Sequence, residues 1–264
     1  MVESTEYIEI TATPFYRRKW MLALIALGLL LVAAYKALPY YFSYLTSDVQ
    51  FFEKEIAAFE EADKQNQPKP GRVLFTGSSS IRFWDSLQTD MRPLKVINRG
   101  FGGSMIHQVT YYADRIIAPY QPSAIVMYAG DNDIGNLITP RSAEQVVIDF
   151  DAFVKKVRTD NTDVPIIYIA IKPSTRRIKQ WPEMKKVNNL IAARAKADAF
   201  TYFVDIATPM LNDDGKANDE YLLWDGLHMN EKGYALWTSL IRPVVVRALE
   251  EREQSSHSTG DKEL

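Results

Sequence analysis

The stretch VLFTGSSSIRFW, residues 73–84, contains the two signals from which the fold can be predicted. A short apolar run predicts a buried strand, and a glycine followed by three serines predicts a turn at its carboxyl end. Most serine-rich turns are simply polar surface turns. A serine at the end of a strand can also act as a nucleophile, provided that the chain supplies a base, an orienting acid and oxyanion donors.

Four further apolar runs follow, each preceded by enough chain for a helix. The predicted strands are residues 72–76, 94–98, 123–129, 164–171 and 201–206. Because these runs are continuous rather than alternating, they are typical of parallel strands buried on both faces. Helical patterns cover residues 104–117, 142–159, 181–198 and 231–252. Ser142 is a candidate N-cap of the second helix, and Pro243 predicts a kink or a break in the last one.

This alternation of strands and helices predicts an α/β fold. We expect a three-layer α/β/α sandwich with a mostly parallel, about five-stranded sheet, flavodoxin-like in its arrangement. In such a sheet, ligands bind outside the carboxyl ends of the strands, and candidate functional residues should therefore follow the strands.

The N-terminal part of the chain differs from the rest. Residues 20–35, WMLALIALGLLLVAAY, carry no charge and follow the basic residues 17–19. A membrane span needs about 20 apolar residues, and the Lys36 side chain can reach the lipid headgroups from the end of this run. Four nearby tyrosines, at positions 35, 40, 41 and 44, suit an aromatic belt at the interface. We therefore expect one N-terminal transmembrane helix.

The basic cluster precedes the span, which predicts that the bulk of the chain is extracytoplasmic. We expect a single-pass protein of the inner (cytoplasmic) membrane, with its main domain facing the periplasm in a Gram-negative cell. A cleaved signal peptide has the same order of basic and apolar residues, and Ala34 and Ala37 resemble a cleavage site. The bulky Tyr35 and Lys36 fit such a site poorly, and we favour an uncleaved signal anchor.

The predicted organisation has five parts: a cytoplasmic segment (1–19), a transmembrane signal anchor (20–42), a membrane-proximal helix and linker (43–70), a globular domain (71–250) and a disordered tail (251–264). The tail is polar, which is the basis for predicting disorder.

Composition excludes several classes of function. The 264 residues carry a formal net charge of -2, so nothing indicates nucleic-acid binding. There is no cysteine, which excludes disulfides, thiolate catalysis and cysteine metal sites. The absence of paired histidines also argues against a metal site. We predict no metal and no cofactor.

Four polar motifs follow the predicted strands or precede the last helix. They are Gly77-Ser78-Ser79-Ser80, NRGFGGS at 98–104, GDND at 130–133 and DGLHMNEKGY at 225–234. In this order, the motifs Gly-x-Ser, Asn-x-Gly-x-x-Gly, Gly-x-Asn-Asp and Asp-x-x-His resemble those of the SGNH hydrolases, also called GDSL-type esterases and lipases. The resemblance extends from Val73 to the last helix. Each motif alone is weak, whereas four in order at these places are specific.

The resemblance implies a role for each matching residue. Ser79 would be the nucleophile, His228 the general base and Asp225 the acid that orients it. The oxyanion hole would consist of the backbone N–H groups of Ser79 and Gly103 and the side-chain amide of Asn132. The other histidines are His107, early in a predicted helix, and His257, in the predicted tail.

This sequence departs from the family at Ser78, where many members have Asp. Ser78 and Ser80 also leave the register of the nucleophile open, although Ser79 matches the motif best. Taken singly, Ser79 could be a helix N-cap, Asn132 an Asx-turn residue and Asp225 a cap. The three glycines after the second strand could form an ordinary flexible turn.

The resemblance implies a membrane-anchored serine ester hydrolase, an acyl esterase, lipase or deacetylase that works through an acyl-enzyme. Its substrate would be a small-molecule, lipid or carbohydrate ester. The same machinery could transfer the acyl group to a sugar or lipid acceptor instead of water. Two further alternatives are a non-catalytic membrane-anchored binding module and a subunit of an envelope complex. The sequence does not identify a protein partner.

Overall fold

The computed structural model describes residues 15–159 and 162–260 of the chain. Five strands are found there: β1 Val73–Gly77, β2 Val96–Gly100, β3 Ala124–Tyr128, β4 Ile166–Ile169 and β5 Thr201–Val204. The helices are α1 Phe15–Ser47, α2 Glu53–Gln65, α3 Ser79–Arg82, α4 Leu87–Asp90, α5 Ile106–Tyr111, α6 Ala113–Ile116, α7 Asp131–Gly135, α8 Ala143–Val157, α9 Trp181–Ala197 and α10 Glu231–Gly260. Short 3₁₀ helices cover Val49–Phe52, Ala118–Tyr120, Thr175–Gln180, Thr208–Met210 and Asp219–Tyr221.

The five strands form one parallel sheet in the order β2-β1-β3-β4-β5. This order is that of the flavodoxin-like doubly wound fold, and the predicted fold class is confirmed. Each strand begins and ends within two residues of its predicted limits. From β1 the chain first moves outwards to β2, and then crosses back to β3 on the other side of β1. The strand order therefore reverses between the neighbouring strands β1 and β3, and the crevice beside their carboxyl ends is the expected ligand site.

Helices cover both faces of the sheet. Crossovers between parallel strands are right-handed, so a crossover that runs towards β2 and one that runs towards β5 lie on opposite faces. On one face, α10 packs against β3, β4 and β5. Trp84, which follows α3, stacks on Tyr234 of α10 with ring centroids 5.2 Å apart. On the other face, α8 packs between α5 and α9. Ser142 caps α8 as predicted, since its hydroxyl accepts a hydrogen bond from the Gln145 amide at 3.3 Å.

The structure differs from the predictions in three helices. The helix expected over residues 104–117 is two short helices, α5 and α6, separated by Tyr112. Helix α10 is not broken at Pro243, which lies inside it. It also continues to Gly260, so residues 251–260 are helical where we expected a disordered tail, because this segment begins with good helix formers such as Glu251 and Arg252. Residues 261–264 lie outside the described part, as does most of the predicted cytoplasmic segment.

Helix α1 is long and apolar enough to cross a membrane. Within Lys19–Ser47, an 18-residue window has a mean hydropathy of 2.3, and none of that window is buried in the protein. A signal sequence near the N-terminus would share these properties. The last turn of α1 is different, since Ser43 and Thr46 are buried. There the Gln108 side chain donates to the Thr46 carbonyl at 2.6 Å, and Asn136 donates to the Ser43 carbonyl at 3.2 Å.

Gly77 ends β1 in a conformation that only glycine adopts readily, with φ of +122°. A Cβ atom built at this position would lie 1.9 Å from the carbonyl oxygen of Tyr128, on the neighbouring strand β3. The lack of a side chain therefore allows the chain to pass close to β3 and enter α3 at Ser79. Gly71 also has a positive φ, of +77°, but a Cβ there would meet nothing within 4 Å.

We predict that Gly77→Ala lowers the free energy of unfolding by at least about 3 kcal/mol, because backbone strain and a backbone clash add. Gly71→Ala should cost only about 1–2 kcal/mol, since it introduces the strain alone. Urea unfolding of the full chain in detergent measures both. Equal losses in the two variants would show that the contact with Tyr128 is not what requires glycine.

Three polar side chains meet where the segment before α8 packs on α5. Each of His107, Asp133 and Asp149 has an imidazole nitrogen or carboxylate oxygen that could bind a metal ion, and these three atoms lie within 4.8 Å of one another. Burial raises the pKa of Asp133 to about 7, Asp149 adds to this, and the Ile106 amide that donates to Asp133 acts against it. Burial, together with Arg141, lowers the pKa of His107. Arg141 provides a positive charge 3.8 Å from Asp149, at the edge of this cluster.

Asp133 therefore gives the fold a pH dependence. Between its ordinary pKa of 3.8 and about 7, the folded state holds a proton that the unfolded state has released, so stability falls as pH rises. We predict that Asp133→Asn removes this slope, up to about 1.4 kcal/mol per pH unit relative to the wild type. Urea unfolding at intervals from pH 4.5 to 7 tests it. Asp114→Asn, at an exposed carboxyl, controls for net charge; parallel curves for wild type and Asp133→Asn would contradict the prediction.

Candidate active site

The motifs that follow β1, β2 and β3 converge with the loop before α10 around one open cavity. Its volume is about 670 Å³, within the range of small-molecule sites. The cavity is lined by Phe42, Phe51, Lys54, Glu55, Ala58, Ser79, Arg82, Phe83, Gly102, Gly103, Asn132, Arg177, Leu227 and His228. It lies at the carboxyl ends of β1 and β3, where the strand order predicts a ligand site.

Ser79 is the first residue of α3, and it differs from its neighbours in accessibility. Ser78 and Ser80 are buried, at 0% and 2% exposure, whereas Ser79 is partly exposed and lines the cavity. The Ser78 hydroxyl is buried without a hydrogen-bond partner. Of the three consecutive hydroxyls, that of Ser79 is therefore the one a ligand in the cavity can reach.

His228 connects Ser79 to Asp225. Its Nε2 atom lies 3.1 Å from the Ser79 hydroxyl, and its Nδ1 atom lies 2.6 Å from a carboxylate oxygen of Asp225. A proton on Nδ1 satisfies the carboxylate and leaves Nε2 free to accept the serine proton. The ring of Phe83 contacts the imidazole edge-on, with centroids 5.1 Å apart, and restricts its rotation.

Asp225 is held by its own loop. Its second carboxylate oxygen accepts hydrogen bonds from the backbone amides of Leu227 at 2.9 Å and His228 at 3.0 Å. Gly226 provides the tight turn between them, with φ of +64°. Partial burial acts to raise the pKa of Asp225, but the hydrogen bonds from His228 and the two amides outweigh it and lower that pKa. The carboxylate is therefore ionised at neutral pH and keeps the imidazole in the orientation described above.

Hydrogen-bond donors line the same cavity as the Ser79 hydroxyl. Asn132, in the first turn of α7, lines the cavity, and one N–H of its side-chain amide is bound to the Ser104 carbonyl at 3.1 Å. Within residues 15–159 and 162–260, the backbone N–H groups of Ser79 and Gly103 donate to no protein acceptor. The cavity that contains the Ser79 hydroxyl thus offers up to three hydrogen-bond donors.

The loop after β4 contributes Arg177, whose role the sequence did not predict. Arg177 donates to the side-chain oxygen of Asn132 at 2.8 Å and pairs with Asp131 at 3.0 Å. Because its oxygen is bound by Arg177 and its nitrogen by the Ser104 carbonyl, the side-chain amide of Asn132 is fixed in one orientation at the cavity. The buried Lys172 lies 3.9 Å from the same Asp131, and burial lowers its pKa to about 8. A basic run after a strand was visible in the sequence, but which arginine reaches Asn132 depends on the fold.

Two further parts of the cavity also come from segments that the sequence motifs do not include. Phe42 belongs to α1, and Glu55 belongs to α2. Glu55 pairs with Arg82 at 3.0 Å, and both line the cavity. No short motif marks either residue, because both reach the site through packing of the N-terminal helices.

The structure thus brings the sequence-predicted residues together. Ser79, His228 and Asp225 form a continuous hydrogen-bonded chain, and Gly103 and Asn132 line the same cavity. His107 lies apart in the cluster with Asp133 and Asp149, and the side chain of His257 lies outside the described part of the chain.

Comparisons with known proteins agree with this fold. Residues 71–236 match the sequence profile of the GDSL-like lipase/acylhydrolase family. The chain is 25% identical over 195 residues to platelet-activating factor acetylhydrolase IB subunit alpha2 from Rattus norvegicus and from Homo sapiens, covering 71% of this chain and 81% of those proteins.

Solved structures of similar fold include a GDSL-like lipase from Bacteroides thetaiotaomicron, with 20% identity and a TM-score of 0.63 over 77% of this chain and 99% of that one. A carbohydrate esterase family 3 protein from Talaromyces cellulolyticus is 17% identical, with a TM-score of 0.51 over 69% of this chain and 99% of that one. The family profile covers well over half of the 264 residues, and the chain therefore belongs to the GDSL-like lipase/acylhydrolase, or SGNH hydrolase, family.

Proposed function

We propose that this protein is a membrane-anchored serine ester hydrolase that works through an acyl-enzyme on Ser79. The observation that carries the proposal is the hydrogen-bonded chain from the Ser79 hydroxyl through His228 to Asp225 beside an open cavity. A serine hydroxyl needs such a base to react at neutral pH. The relatives named above include an acetylhydrolase and a carbohydrate esterase, which is compatible with cleavage of carboxylic esters.

In the proposed reaction, the Ser79 oxygen attacks the ester carbonyl carbon while His228 accepts the serine proton. The negative charge on the carbonyl oxygen is stabilised by the N–H groups of Ser79 and Gly103 and by the amide of Asn132. The carbon–oxygen bond to the alcohol then breaks, and His228 gives its proton to the departing alcohol. Water, activated by His228, hydrolyses the acyl-enzyme and releases the carboxylic acid. No cofactor takes part.

The proposed location follows from α1. The basic residues 17–19 precede its apolar part, which favours an orientation with the cavity on the extracytoplasmic side of the inner membrane. The last turn of α1 packs on the domain, since Ser43 and Thr46 are buried. An uncleaved α1 would therefore attach the domain directly to the membrane.

We predict that Ser79→Ala lowers kcat for p-nitrophenyl acetate by at least about a thousandfold, because it removes the nucleophile. Ser78→Ala is the matched control: it removes the neighbouring hydroxyl, which is buried without a partner, and should keep most of the activity. Initial rates of the full chain in detergent measure both. Equal activity of wild type and Ser79→Ala would exclude Ser79, whereas a folded but inert wild type would favour the acyltransferase alternative, tested by adding an acceptor alcohol.

We further predict that Arg177 is a positioning residue for Asn132. Arg177→Lys keeps a positive charge near Asp131 but lacks the planar fork, in which separate nitrogens contact Asp131 and Asn132. We expect kcat to fall about tenfold with little change in KM, because a misdirected amide stabilises the oxyanion poorly.

Two comparisons make this test specific. Arg176→Lys, at the exposed neighbouring arginine, should have no effect. In an Asn132→Ala background, Arg177→Lys should cause little further loss, because the group that it orients is gone. An equal loss of kcat in both backgrounds would show that Arg177 acts independently of Asn132.

A further inference from the structure

The environment of helix α1 changes abruptly along its length. The large apolar side chains from Trp20 to Phe42 are exposed, whereas Ser43 and Thr46 are buried against the domain. No linker separates the two parts, since α1 runs from Phe15 to Ser47 as one helix, with Pro39 inside it. Any bilayer around the apolar part is therefore held close to the domain.

The last turn of α1 contacts the loop that carries Gly103. A Cβ atom built on Gly103 would lie 3.4 Å from the ring of Phe42 and 3.4 Å from the side chain of Thr46. Phe42 also contacts Phe51 edge-on, with centroids 6.3 Å apart, and both rings line the cavity. The apolar helix thus forms one side of the cavity that contains Ser79.

Further contacts fix the angle at which α1 leaves the domain. Phe51 packs on Phe52, Phe52 packs on Phe101 and Phe101 packs on Tyr112, each edge-on with centroids 5.0 to 6.0 Å apart. The Tyr112 hydroxyl donates to the carbonyl of Val49 at 2.7 Å, directly after α1 ends. These contacts join the end of α1 to the buried core rather than to a mobile surface loop.

Helix geometry gives the height of the cavity above the bilayer. From Trp20 to Leu38, α1 rises roughly 27 Å, close to the roughly 30 Å thickness of a hydrocarbon core. Phe42 lies four residues further, or roughly 6 Å, within a headgroup layer that is about 5 to 7 Å deep on each side. Side chains on a helix point towards its N-terminus, which directs the Phe42 ring back towards the bilayer. The side of the cavity formed by Phe42 therefore lies at headgroup level.

Exposed apolar side chains lie near the same end of α1. Phe51 and Phe83 line the cavity and are 41% and 45% exposed. Leu137 and Ile138 are also exposed, and the Leu137 amide donates to the Ser43 side chain of α1 at 3.3 Å. Apolar groups in these positions are compatible with a lipid surface next to the cavity.

We propose that α1 is part of the substrate site, and that the substrate is an ester of an amphiphile residing in the same bilayer, which enters the cavity past Phe42. This inference rests on the proposed esterase function and adds the source of the substrate. An amphiphile with its ester at headgroup level reaches Ser79 without leaving the bilayer. A water-soluble ester gains nothing from this arrangement.

The experiment uses the full chain reconstituted in phosphatidylcholine vesicles. Two bilayer-resident esters serve as probes: hexadecyl acetate, with its long chain on the alcohol, and 4-methylumbelliferyl palmitate, with its long chain on the acyl group. Each probe is placed either in the vesicles that hold the enzyme or in separate vesicles. Hydrolysis of the soluble ester p-nitrophenyl acetate measures the amount of active enzyme in each preparation. We expect at least one probe to be hydrolysed more than about tenfold faster when it shares the bilayer, because confinement raises its effective concentration.

A pair of variants tests the part played by α1. Phe42→Ala should raise KM for the bilayer-resident ester about fivefold with little change in kcat. The variant removes the apolar contact between the half-exposed Phe42 ring and the bound ester. Tyr41→Ala changes the adjacent, 60% exposed ring, which does not line the cavity, and should behave as wild type. Melting temperatures identify any general loss of stability.

The outcomes are distinguishable. If p-nitrophenyl acetate is hydrolysed but neither probe gains from sharing the bilayer, the substrate is a soluble ester and the inference is overturned while the esterase function stands. If Phe42→Ala and Tyr41→Ala have the same KM, α1 is an anchor only. If no ester is hydrolysed by wild type, the proposed function fails and the inference fails with it.

Discussion

The close approach of Gly77 to the carbonyl oxygen of Tyr128 is the contact on which the rest of the site depends. With no side chain at Gly77, β1 can end against β3 and the next residues can turn into α3. That turn buries Ser78 and Ser80 and exposes Ser79 to the cavity. Because β1 and β3 are neighbours in the sheet, the same approach brings the loop carrying Asn132 beside the loop carrying Ser79.

The sheet and the polar motifs could be predicted from the sequence because both are local signals. Continuous apolar runs predict buried parallel strands, and the parallel arrangement brings together the residues that follow them. The pairing of Asp225 with His228 could be anticipated for the same reason, since the two residues are three positions apart within one turn. The limits of the last helix were harder to predict: α10 is not broken at Pro243, and it continues into the polar segment whose composition had predicted disorder.

Other parts of the site depend on long-range packing and could not be predicted. Arg177 and Arg176 are equivalent in sequence, and only the path of the chain after β4 directs Arg177 to Asn132. Phe42 is one of many apolar residues in α1, and nothing in its neighbourhood marks it as facing Gly103. The cluster of His107, Asp133 and Asp149 combines residues from three separate segments, and no short-range pattern in the sequence connects them.

The continuity of α1 has a mechanical consequence. A helix that continues into a domain transmits its tilt to that domain, and Gln108 and Asn136 attach the end of α1, beyond Pro39, to the domain. Spans adjust to thinner or thicker bilayers by tilting. In this protein such a tilt would rotate the whole domain and change the height of the cavity opening relative to the lipid headgroups. Lipid composition would then regulate access to Ser79 without binding to any site on the protein.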